Sequence, residues 1–125
     1  MSIKTKEAYG AVVIELHGKF LGSLHGSELK QTLDELKEAG KTHVVIDLAN
    51  TEFMDSSGVG VLIAGHTSMR KVGGDIRLAN LQKRIRNLFM MTHLLGPVFD
   101  SFESLDEATQ SFQDDPPAPA PTDAT

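Results

Sequence analysis

A chain of 125 residues, 40% hydrophobic and 23% charged, has the composition of one globular domain able to bury a core without disulfides or metal. Its net charge of −5 offers no basic surface for nucleic acid, and the lack of cysteine excludes a disulfide framework and thiolate chemistry. The opening MSIKTKEAYG lacks the apolar segment of a secretory signal, and the longest apolar run, 59–65, falls far short of the about 20 residues that span a bilayer. These features predict a soluble cytoplasmic protein with no membrane segment and no direct nucleic-acid contact.

In chain order, Ile3–Ala8 reads as a short strand and Tyr9-Gly10 as a turn. The β-branched run Ala11–His17 predicts a second strand, close enough to the first for a hairpin. Gly18–Ser23 reads as a loop. Leu29, Leu33 and Leu36 share one helical face, which predicts a helix over 24–39 with Gly40 as its stop. His43–Leu48 is almost continuously apolar, as a strand covered on both faces should be. A helix over 56–72 follows, ended by Gly73-Gly74. Asp75–Ala79 alternates as a strand, and Asn80 is a candidate N-cap for a helix over 81–91. Gly96-Pro97 breaks the chain, and Val98-Phe99 could form a short last strand. Ser104 with Glu107 makes a capping box for a final helix carrying Leu105, Ala108 and Phe112.

Beyond Phe112 lie four of the five prolines and no bulky apolar residue. Residues 113–125 are therefore expected to be a disordered Pro/Ala-rich tail, leaving 1–112 as one domain. Strands alternating with helices predict an α/β fold: a single small domain with a mixed sheet of about 4–5 strands and about 4 helices.

Chemistry is concentrated in Phe53-Met54-Asp55-Ser56-Ser57-Gly58-Val59-Gly60. Asp55 ends a strand-to-helix connection, where its carboxylate can cap the first free N–H groups of the helix. Ser56 falls in the first turn, at the positive end of the helix dipole, so a phosphate there would meet a favourable field. Gly58 and Gly60 each cost the helix roughly 1 kcal/mol against alanine, a cost that a flush docking surface would explain. Ordinary capping and tight helix–sheet packing would explain the same residues.

Catalytic alternatives fit less well. A nucleophile elbow requires glycine where Met54 stands, and a dinucleotide finger requires a different glycine spacing from that of Gly58, Gly60 and Gly65. The five histidines show no metal-ligand spacing. Lys83, Arg84 and Arg86 read as the solvated face of a helix. No cofactor and no enzymatic activity are expected.

The segment VIDLANTEFMDSSGVGVLIAG, with VVIELHGKF before it and KVGGDIRLANLQKRIRNLFMMTHL after it, resembles the anti-sigma factor antagonists, the small STAS domains of bacteria. The resemblance covers most of residues 1–112. It implies a non-enzymatic protein that binds an anti-sigma factor serine kinase and is switched off when that kinase phosphorylates Ser56. It also implies a serine phosphatase that reverses the mark, with ATP and magnesium belonging to the kinase. Asp55, Ser57, Gly58, Gly60 and Val61 would line the contact. The family's acidic loop is replaced here by Gly18-Lys19-Phe20-Leu21, which puts Lys19 and Leu21 among the docking residues. A monomer suits a switch that trades partners. The alternative is a STAS accessory subunit of a transporter or other signalling complex, with Ser56 only a cap.

Overall fold

The structure is a computed structural model that describes residues 2–96 and 98–114. Ten elements follow one another: β1 (Ser2–Ala8), β2 (Ala11–Phe20), α1 (Gly22–Glu38), β3 (His43–Asp47), β4 (Thr51–Met54), α2 (Ser56–Arg70), β5 (Asp75–Ala79), α3 (Lys83–Met91), β6 (Ser101–Phe102) and α4 (Leu105–Asp114). The six strands form one sheet in the order β1-β2-β3-β5-β6, with β4 also paired to β2. Only β1 runs antiparallel to its neighbour. The fold is thus the expected α/β arrangement with a mixed sheet and four helices, with six strands among the described residues where about 4–5 were expected.

The period-2 alternation of the strands decides the layers. Ile14, Leu16, Val44, Ile46, Ile76 and Leu78 point to one face, where they pack with Leu29 and Leu33 of α1, Leu62 of α2, and Ile85 and Phe89 of α3. Ala11, Val13, Val45 and Ala79 point to the other face and meet Ala108 and Phe112 of α4. Small residues against α4 and large ones against three helices explain why β3 reads as continuously apolar. Gly40 ends α1 at φ +76, with the Lys41 N–H closing on the Leu36 carbonyl. Ser104 Oγ accepts the Glu107 N–H at 3.1 Å and opens α4 as the capping box predicts.

Five local expectations are corrected. The loop expected at Gly18–Ser23 is strand as far as Phe20, because β4 supplies a partner for the end of β2. α1 starts at Gly22, two residues before Leu24. Asn80 does not cap α3: it takes a left-handed φ of 58, its amide donates to Asp47 Oδ1 at 3.0 Å, and the cap position falls to Gln82. Val98-Phe99 forms a single bridge through Leu95 and Phe99, while the last strand is Ser101–Phe102. α4 runs two residues past Phe112, and the remainder of the expected tail, 115–125, lies outside the described residues.

Candidate functional site

In the parallel part of the sheet, β2 and β4 end side by side, Phe20 paired with Met54. Both chains then turn directly into helices, so α1 and α2 begin next to each other. Leu21 holds the N-cap position of α1 but makes no side-chain cap bond. The missing cap comes from across the junction. Asp55, the N-cap of α2, takes the Gly58 N–H at 2.7 Å and the Gly22 N–H at 3.0 Å, both on Oδ1. One carboxylate oxygen therefore closes two helices. The N–H groups of Gly22 and then Gly58 hold the Asp55 carboxyl below the usual carboxylate range.

Glycine is required at this junction for approach. A Cβ on Gly22 would lie 2.2 Å from the carbonyl carbon of Ser57, and one on Gly58 would lie 2.9 Å from both the Phe20 carbonyl oxygen and the Met54 side chain. Gly60, two residues on, is exposed, and a Cβ there would meet nothing within 4 Å. The two glycines read together in the sequence therefore differ: Gly58 is a buried packing residue, and Gly60 alone leaves the surface bare.

Ser56 and Ser57 are both exposed on the first turn of α2. Lys19 is exposed and paired in register with Phe53, itself 38% exposed. Leu21 is half-buried. Val61 turns inward, and a Cβ on Gly26 of α1 would lie 2.8 Å from its Cγ2. Ser56, Ser57, Lys19 and Gly60 thus offer surface near the junction, while Asp55, Gly58 and Val61 build it. His25 belongs here too and was not anticipated. Its Nδ1 accepts the Leu21 N–H at 3.0 Å, which puts the ring proton on Nε2. An imidazole four residues after an uncapped helix start was the available signal.

A second polar cluster lies at the opposite edge of the strands. Asp75 is 6% exposed and receives His66 Nε2 at 3.1 Å and Arg77 Nε at 3.1 Å. Burial pushes its carboxyl up, but His66 and Arg77 outweigh that and hold it below the usual range. Arg77 Nη1 donates to Ser111 Oγ at 2.8 Å, and its guanidinium lies 4.1 Å from the centre of the Phe112 ring, on which His43 also stacks. Burial, and then Arg77, lower the His43 pKa. This cluster ties α2, β5 and α4 together. Among the described residues no group of three His, Asp or Glu could hold a metal ion, and no helix is long and apolar enough to cross a membrane.

The sequence model of the STAS domain matches residues 2–108. The chain belongs to the STAS domain family. This STAS domain is 26% identical to the anti-sigma F factor antagonist of Paenibacillus polymyxa over 105 residues, covering 81% of the chain and 88% of the relative. Its fold is that of the anti-sigma factor antagonist SpoIIAA in its unphosphorylated form, with a TM-score of 0.70, 19% identity, and coverage of 91% of this chain and 99% of that one. SpoIIAA of Bacillus in its phosphorylated form aligns with a TM-score of 0.67 at 24% identity over 86% of this chain and 96% of that one. A sulfate transporter family protein of Wolinella succinogenes shares the fold too, with a TM-score of 0.73, 18% identity, and coverage of 86% and 88%.

Proposed function

We propose that this STAS domain is a cytoplasmic anti-sigma factor antagonist. In its unmodified form it binds an anti-sigma factor serine kinase, and phosphorylation of Ser56 switches it off. The observation that carries the reading is the division of labour at the start of α2. Asp55 already satisfies the cap of both helices, and the Ser56 hydroxyl stands outside, exposed, with no structural task to abandon. A phosphoryl group there adds about two negative charges at the positive ends of two adjacent helices, so the domain can carry it without unfolding. The cost falls on docking. A dianion at the middle of a contact must be desolvated, and a loss of about 4 kcal/mol weakens binding roughly a thousandfold. The relatives named as anti-sigma factor antagonists, one of them solved in both phosphorylated and unphosphorylated forms, support the same reading.

Ser56, Ser57 and Gly60 form the centre of the proposed contact, with Lys19 and Leu21 beside it. A cation and an apolar side chain there call for a kinase surface of complementary charge. ATP and magnesium belong to that kinase, and a serine phosphatase restores the binding form. The deciding experiment mixes the chain with its anti-sigma factor kinase and ATP. Ser56→Ala is expected to bind throughout and Ser56→Asp to bind at least about a hundredfold more weakly. Equal binding by the two variants would remove the switch.

The likeness to the sulfate transporter family protein supports a second reading, an accessory subunit of a membrane complex. That reading predicts co-purification with membrane proteins and indifference to Ser56→Asp.

A further inference from the structure

The reading above leaves a cleft between α1 and α2 without a role. It has a volume of about 460 Å³, in the range of small-molecule sites, and its lining is mostly apolar. Leu33 comes from α1, and Val61 and Ala64 from α2. Two lysines of α1 stand at its edge with different partners. Lys30 Nζ lies 2.8 Å from Asp34, whose carboxylate also feels Lys37, so the three groups together leave one net positive charge. Lys37 reaches from α1 to α2 and donates to the neutral Ser68 Oγ at 2.7 Å. The cleft therefore combines an apolar wall with one cation whose hydrogen-bond partner carries no charge.

That combination selects among ligand classes. A polyphosphate would bring more negative charge than one lysine can offset, and a neutral hydrocarbon would leave Lys37 and Ser68 unused. We propose that the α1–α2 cleft binds an amphiphilic monoanion, a carboxylate on an unbranched alkyl chain of roughly ten carbons. The carboxylate meets Lys37 Nζ and Ser68 Oγ, and the alkyl chain lies along Leu33, Val61 and Ala64. Gly22 lines the same cleft and donates one of the two N–H groups that hold Asp55.

The test titrates the full chain with monomeric decanoate and follows backbone amide resonances. Saturable shifts along α1 and α2 are expected, with a dissociation constant below about 1 mM. Lys37→Met should weaken binding about tenfold, and decanol should bind the unaltered chain more weakly by a similar factor. Ala64→Phe, at an exposed lip where the fold tolerates it, should block the cleft and abolish the response. The proposal is overturned if decanoate gives no saturable shift, if Ala64→Phe binds as well as the unaltered chain, or if inorganic phosphate reproduces the response. The titration uses no kinase, so its outcome is independent of the phosphorylation reading.

Discussion

At the carboxyl edge of the parallel strands, Asp55 is half-exposed and spends one oxygen on two backbone N–H groups. At the amino edge, Asp75 is buried and answers to two side chains, His66 and Arg77. Both carboxyls sit below their ordinary range, for opposite reasons: one is held by backbone donors near water, the other by side-chain partners that overcome burial. The amino edge is closed, since Asp75, His66, Arg77 and Ser111 are bound to one another. The carboxyl edge closes its helices with Asp55 and His25 and leaves the hydroxyls of Ser56 and Ser57 outside. The difference sets cohesion at one edge and, under the proposed function, exchange of partners at the other.

The largest test of that separation is Asp75→Ala. It removes the buried carboxylate that His66 and Arg77 share and should cost about 3 kcal/mol or more, read as a lower urea midpoint. Binding to the kinase by the fraction that stays folded should be unchanged. Next come the two glycines of α2. Gly58→Ala pushes a methyl against Phe20 and Met54 and should cost about 1–3 kcal/mol. Gly60→Ala meets open space and should stabilise the helix by roughly 0.5–1 kcal/mol while roughening the docking surface. Opposite signs two residues apart, measured by urea unfolding, would confirm that one glycine serves packing and the other exposure.

How far the sequence foretold this depends on range. Asp55 as a cap and Ser56 as an exposed first-turn hydroxyl follow from four adjacent residues, because capping is a local bond. The two-sided burial of β3 follows from its unbroken apolarity. The bond from Gly22 to Asp55 joins residues 33 apart, and nothing in Gly22's neighbours signals it. β4 was missed because Thr51-Glu52-Phe53-Met54 is short and half polar, and becomes a strand only when β2 runs on to Phe20 beside it. Asn80 looked like a cap because caps and left-handed positions favour the same residue. The contact of Arg77 with Ser111, 34 residues on in α4, was invisible for the same reason of range as the Gly22–Asp55 bond.

The smallest expected effects are pH limbs of stability. Asp55 and Asp75 have lowered pKa values, so each adds stability that is full above about pH 4 and is lost as pH falls through its folded value. His43 also has a lowered value, set by burial and Arg77 against the pull of Asp75, and the unfolded chain takes up its proton first. Stability should therefore fall gently as pH drops below about 6.5. In urea titrations across pH, His43→Phe should remove the gentle limb and Asp75→Ala should blunt the steep one. A gentle limb that survives His43→Phe would assign it to another group.

The central claim is that the first of the two exposed hydroxyls at the start of α2, that of Ser56, is the one the cell modifies. Phosphopeptide mass spectrometry of the chain isolated from its own cells tests it most directly. The account predicts a phosphoryl group on Ser56, its occupancy changing with conditions, and none on Ser57. Phosphate confined to Ser57, or its absence from both residues under every condition that changes sigma-factor activity, would contradict it.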